Sequence, residues 1–165
     1  MKIHYCIECG QKLRQMNDSS YVCLQKHYYY NNPRAAVAVL LVNEHNQVLV
    51  SKRGIEPRKG TYDLPGGFLE SGESVQAGAA REMLEETTIK IGNIEIITSY
   101  AVEYLENIHV CDLVVYVKDW EGTPVAQDDS SALEWKSLNF LNSSEFSAPY
   151  PDIVDTLKDY LKLVQ

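Results

Sequence analysis

Three glutamates, Glu82, Glu85 and Glu86, stand three and four positions apart in the segment Arg81-Glu82-Met83-Leu84-Glu85-Glu86. On a helix turning about 100° per residue they fall within an arc of roughly 100°, with Ala77, Ala80, Met83 and Leu84 towards the opposite side. One face packs and the other concentrates negative charge. Like charges at this spacing repel, so the stripe is either a solvated acidic face or a wall that a bound cation neutralises. Hard divalent cations take carboxylate oxygens of this kind. A second constellation lies near the N-terminus: Cys6 and Cys9 form a Cys-x-x-Cys knuckle followed by Gly10, and Cys23 begins a Cys-x-x-x-His ending at His27. Three thiolates and one imidazole suit tetrahedral zinc, and four protein ligands would make the site structural. The alternatives are His4 as the fourth ligand, or a degenerate module held by packing alone.

Positioning these residues requires a particular order of elements. Residues 1–32 are polar and rich in Cys, Tyr and Asn, and Asn31-Asn32-Pro33 marks a boundary before a long apolar run. The division is therefore a zinc-ribbon-like module at 1–32 and a catalytic domain at 33–165. The tyrosines Tyr28, Tyr29 and Tyr30 are expected to contact that domain. Residues 35–41 read as a buried strand, with 47–51 as its hairpin partner. A short extended piece at 62–64 precedes the turn Pro65-Gly66-Gly67, and Ser74 is the expected N-cap of a helix running to about Thr87. Strands are expected at 94–104 and 109–117 around a Glu106-Asn107 turn, and a shorter one at 133–135. Beyond Pro151, Ile153, Leu157, Leu161 and Val164 recur at helical spacing, which predicts a closing amphipathic helix packed on the sheet.

The pattern Gly67, five residues, Glu73, seven residues, Arg81-Glu82, Met83, any residue, Glu85-Glu86, then Ile89 resembles the box of the Nudix hydrolase superfamily. One position departs: Thr88 stands where the family has glycine. Because φ > 0 is costly for a β-branched residue, the helix exit is expected to take another backbone route. The resemblance implies an α/β Nudix fold, a mixed β-sheet sandwiched between helices, and hydrolysis of a pyrophosphate linkage assisted by Mg2+ or Mn2+. By the same resemblance Glu82 and Glu86 are metal ligands, with Glu85 and the backbone carbonyl near Gly66 completing the cage. Arg81 is placed in the catalytic set as the residue that pairs with motif carboxylates such as Glu73. For the general base Glu134, beside Trp135, is the leading candidate, followed by Asp128, Asp129 and Glu85. Glu70 is a candidate for supporting the metal.

Substrate contacts are assigned to Arg53, Arg58 and Tyr62. Lys52 is a further candidate, and each has surface solvation or packing as the alternative. The Lys52 to Pro57 segment, the Tyr62-Asp63-Leu64-Pro65-Gly66-Gly67 run and the ribbon together look like Nudix enzymes that split FAD or ADP-ribose. NADH pyrophosphatase, nucleoside triphosphate sanitation and a non-enzymatic nucleotide-sensing regulator are the rivals. The chain has 165 residues, a net charge of −8 and 45% hydrophobic content. That is enough for one medium domain with a small appendage, and the charge argues against a broad nucleic-acid surface. No apolar run approaches a bilayer span and no signal-peptide stretch opens the chain. A cytoplasmic protein acting on a nucleotide-derived small molecule is expected, and analogy with ADP-ribose pyrophosphatases implies a homodimer.

Overall fold

In the computed structural model, residues 5–106, 108–147 and 150–163 are described. His4, the Asn107 half of the predicted turn and Val164 lie outside them. Three short strands open the chain, β1 (Arg14–Asn17), β2 (Ser20–Val22) and β3 (Tyr28–Tyr30), pairing in the order β1-β2-β3. They carry their own small apolar cluster, built on Cys6, Leu13 and Cys23.

The larger part follows with β4 (Arg34–Leu41), β5 (Gln47–Arg53), β6 (Tyr62–Asp63) and β7 (Gly66–Phe68). Then come helix α1 (Val75–Thr87) and strands β8 (Lys90–Ile91), β9 (Ile94–Leu105), β10 (Ile108–Val117), β11 (Trp120–Glu121) and β12 (Ser130–Ser137), before the closing helix α2 (Ile153–Leu163). The central sheet has the order β7-β4-β10-β9, and a second has the order β12-β5-β6. Strand β10 runs parallel to β4, while β9 and β7 pair antiparallel, so the central sheet is mixed.

The continuous apolar run of β4 reflects burial on both faces. Its odd positions Val37, Val39 and Leu41 pack with Ala79 and Met83 of α1. Its even positions Ala36, Ala38 and Leu40 pack with Ile153, Val154 and Leu157 of α2. Two helices thus cover opposite faces of the sheet system, as the resemblance implied.

Two expectations are corrected. The hairpin of residues 35–41 with 47–51 is not a ladder: β4 and β5 belong to different sheets and share only an isolated bridge between Val42 and Val48. Both strands are apolar enough to be buried twice, and each is therefore used in its own layer. The helix exit also differs. Thr88 itself adopts the left-handed conformation, φ 63°, and its N–H closes on the Leu84 carbonyl. Its hydroxyl donates to the Thr123 carbonyl at 3.1 Å, a local bond that offsets part of the cost of φ > 0 for a β-branched residue. The N-terminal end of α1 is as expected, with the Ser74 hydroxyl accepting from the Ala77 N–H at 3.2 Å.

Candidate active site

Helix α1 brings Glu82, Glu85 and Glu86 to one wall of a cleft of about 520 Å³, and β7 forms the adjoining edge. Two glycines make this approach feasible. At Gly66, φ is 144° and a Cβ would lie 2.1 Å from the Val37 carbonyl oxygen; at Gly67 a Cβ would lie 2.5 Å from Glu82 Oε1. At Gly66 no larger residue fits against the Val37 backbone, and at Gly67 a side chain would displace the Glu82 carboxylate. The loop backbone thereby reaches the carboxylates, and the Gly66 N–H donates to Glu86 Oε2 at 3.2 Å.

Arg81 lines the cleft too, and it organises the wall. Its guanidinium forks onto Glu73, with Nε and Nη2 each 3.0 Å from a carboxylate oxygen. Nη1 reaches Glu82 at 2.8 Å and Glu85 at 3.1 Å, and Nη2 also donates to the Phe68 carbonyl at 3.0 Å. Loop and helix are locked together by one planar cation. The hydrogen bonds from Arg81 hold the Glu73 carboxyl below its usual range.

Glu86 has a different environment. Burial pushes its pKa up to about 8, against the pull of the Gly66 N–H and with Glu82, Asp63 and Asp129 adding repulsion. Burial also raises Glu82, although Arg81 opposes it. Among the described residues no side-chain cation pairs with Glu86. A half-buried carboxylate lacking a counter-ion, beside two more carboxylates and an open cleft, is an oxygen donor set that fits a hard divalent cation.

Arg53, Arg58, Glu70, Asp128 and Asp129 also line the cleft. Arg53 donates to the Pro57 carbonyl at 2.8 Å and lies 3.7 Å from Asp63, while Arg58 donates to the Ser147 carbonyl at 2.7 Å. Both arginines are tied to the loops they brace while keeping a face on the cleft.

Glu134 and Tyr62 are not brought to it. Tyr62 is packed in the core beneath α2, and its hydroxyl donates to Glu134 Oε1 at 2.5 Å. The other oxygen of Glu134 meets the Lys136 ammonium at 2.5 Å. Lys52 joins this separate group, its ammonium 5.5 Å from the centre of the Tyr62 ring. Conversely, Asp63, Asp112 and Tyr150 line the cleft without having been singled out. Asp112 carried a signal, a carboxylate in the middle of the apolar run Val110-Cys111-Asp112-Leu113-Val114.

Apart from the cleft residues, one ligand atom from each of Cys6, Cys9, Cys23 and His27 lies within 4.8 Å of the others. Cys9 Sγ is 3.8 Å from Cys23 Sγ, and Cys6 Sγ is 3.3 Å from His27 Nδ1. These separations match the edges of a tetrahedron whose centre is about 2.3 Å from sulfur and about 2.0 Å from nitrogen. Burial raises the Cys6 thiol, but hydrogen bonds from the Tyr29 hydroxyl, the Cys9 backbone and His27 outweigh it and bring the pKa to about 6, favouring thiolate.

Comparison with known proteins places this geometry in a family. The NUDIX domain model matches residues 32–157. An ADP-ribose pyrophosphatase from Methanocaldococcus jannaschii is 31% identical over 140 residues, covering 84% of this chain and 79% of the relative. An NAD-capped RNA hydrolase NudC from Erwinia tasmaniensis is 24% identical over 133 residues, and the match covers 79% of this chain but only 48% of that relative. A NUDIX hydrolase structure from Nitrosomonas europaea superimposes with a TM-score of 0.64 at 26% identity, covering 97% of this chain and 91% of its own. The chain belongs to the Nudix hydrolase superfamily, and it is an α/β enzyme that hydrolyses a pyrophosphate linkage.

Proposed function

We propose that the chain is a magnesium-dependent pyrophosphohydrolase of the nucleoside diphosphate-X type, splitting ADP-ribose or FAD into a nucleoside monophosphate and the phosphorylated remainder. The observation that carries this reading is Glu86, half-buried without a cationic partner among the described residues beside Glu82 and Glu85 on the wall of an open cleft. The Methanocaldococcus relative, named as an ADP-ribose pyrophosphatase, favours this substrate class.

In this reading Glu82, Glu85 and Glu86 hold Mg2+ or Mn2+, together with the backbone at Gly66. The bound ion supplies positive charge against the phosphate oxygens and makes water more acidic. The chain's own residues do the rest. Arg81 fixes the carboxylates in register through its fork on Glu73 and its bonds to Glu82 and Glu85. Arg53 and Arg58 face the incoming diphosphate. Glu85, Asp128 or Asp129, all lining the cleft, accepts the proton of the attacking water. Water adds to one phosphorus, the bridging oxygen leaves with the other, and the released phosphate takes up a proton.

The Cys6, Cys9, Cys23 and His27 cluster is assigned to structural zinc, and the chain to a module at 1–32 and a catalytic domain at 33–165. A nucleotide-derived small molecule is the partner. The described residues contain no helix long and apolar enough to cross a membrane.

A second reading, cleavage of NADH-type dinucleotides, is favoured by the match to the NAD-capped RNA hydrolase. Incubating the protein with magnesium and ADP-ribose, FAD, NADH or nucleoside triphosphates, with product analysis, tests both. Fastest release of AMP from ADP-ribose or FAD is expected; a clear preference for NADH or for triphosphates would overturn the first reading.

A further inference from the structure

The cleft has a second end that the hydrolytic groups do not use. Asp112 lies in β10 between Ala36 of β4 and Tyr100 of β9, and the residues two positions away along its own strand, Val110 and Val114, are buried and apolar. A carboxyl there costs stability unless it is satisfied. It is only half satisfied. The Tyr150 hydroxyl donates to Oδ2 at 2.5 Å, whereas Oδ1 is buried and accepts no hydrogen bond. Burial accordingly raises its pKa.

The walls beside it are small and apolar, from Ala36, Ala38, Val102 and Val110. Phe68 and Tyr104 add aromatic surface, their rings edge to face with centroids 5.5 Å apart. Asp63 also lines the cleft; it feels the charge of Asp112 and adds to the repulsion on Glu86. A phosphate would meet two carboxyls here. A flat neutral ring bearing an N–H would meet apolar walls and an acceptor in need of a donor.

We propose that Asp112 is a specificity-determining residue that accepts a hydrogen bond from the amino group of the substrate's nucleobase, so that amine-bearing bases are preferred over their oxo counterparts. This rests on the reading that the cleft takes a nucleotide derivative. The donor is met by a rotation of the carboxylate about its terminal torsion, which is soft in aspartate. A site built to accept from an N–H discriminates against a ligand that presents a carbonyl at that point, because two acceptors then face each other unpaired.

The test uses nucleoside monophosphates, which contain no pyrophosphate bond, so its outcome is independent of whether the protein hydrolyses ADP-ribose or FAD. Dissociation constants are measured calorimetrically for the full chain at pH 8 with the pairs AMP and IMP, and CMP and UMP. Wild type is expected to prefer the amine member by about tenfold or more in at least one pair. Asp112→Asn, whose amide presents either a donor or an acceptor, is expected to bring that ratio within about threefold. Should Asp112→Asn fail to fold, Asp112→Ala, which removes both acceptor oxygens, is expected to bring the ratio within about threefold. Equal binding within every pair by wild type, or a preference that survives Asp112→Asn, would overturn the proposal. So would a ratio that responds to the 2′-hydroxyl of the sugar and not to the base.

Discussion

The Cys6, Cys9, Cys23 and His27 cluster and the Glu82, Glu85 and Glu86 wall are opposite solutions to gathering donor atoms. The first is closed. Its four ligand atoms lie within 4.8 Å, two of its cysteines are buried, and the apolar cluster beneath it among the described residues is built on Cys6, Leu13 and Cys23. A core that small contributes little stability by burial. The second is open. It is mounted on a helix whose other face is anchored by Ala79 and Met83 in a complete core, and its charge is left uncompensated at Glu86. Where the chain lacks a core, soft donors converge to supply one; where it has a core, it can afford a destabilised carboxylate facing solvent and substrate.

Removing the ion should separate the two most sharply at the N-terminal end. One zinc per chain is expected by metal analysis. Cys23→Ser or strong chelation is expected to abolish amide-exchange protection in residues 5–30, since structural zinc supplies on the order of 10 kcal/mol to small modules. Protection in α1 and β10 should persist. Retention of module protection in metal-free protein would show that packing suffices and would erase the contrast.

At the open site the charge itself is decisive. Glu86→Gln keeps the volume and removes the anion, so magnesium-dependent turnover is expected to fall at least about a hundredfold with the circular dichroism spectrum unchanged. Turnover within a few-fold of wild type would remove Glu86 from the metal site.

The uncompensated carboxyls also set a pH dependence. In the folded chain burial raises Asp63 to about 6 from 3.8 and Glu86 to about 8 from 4.5. Both pKa values are raised, so the folded state holds protons that the unfolded chain has released. Their contribution to stability is complete below the unfolded values and is lost as pH rises through about 6 and about 8 respectively. Metal-free protein is expected to melt about 5 °C lower at pH 8.5 than at pH 5.5. Magnesium, binding the ionised form, should narrow the gap, and Glu86→Gln should flatten its upper half. A melting temperature rising over that interval would contradict the burial of these groups.

Much of the open site was legible because a helix converts spacing into facing: Ser74, Glu82, Glu85 and Glu86 fall where a regular turn puts them. The Cys-x-x-Cys and Cys-x-x-x-His spacings were legible for a similar reason, each fixing two ligands within one tight turn. What was not legible depends on long-range closure. Asp63, Asp112 and Tyr150 come from a two-residue strand, a central strand and the approach to α2, and only the folded chain brings them to one cleft. Thr88 shows the opposite limit. Steric preference argued against φ > 0, and a single tertiary hydrogen bond to Thr123 accompanies it nevertheless.

Glu134 is where sequence proximity and structure separate most clearly, and it offers the smallest expected effect. It is only six residues beyond Asp128, which lines the cleft, yet β12 carries it into a group with Tyr62 and Lys136. The Lys136 hydrogen bond, followed by that of Tyr62, holds its carboxyl below the usual range. A carboxylate with both oxygens engaged, one of them by a cation, is a poor acceptor for a proton from water. Its side chain is 39% exposed, so solvent screens the ion pair and its contribution to stability is small. Glu134→Gln is therefore expected to change magnesium-dependent turnover by less than about threefold and to lower the melting temperature by about 2 °C. Asp129→Asn and Glu85→Gln, measured alongside, should include the larger loss. If instead Glu134→Gln costs more than tenfold while both of those are mild, the proton acceptor is Glu134, and the strand bearing it must turn towards the cleft when substrate binds.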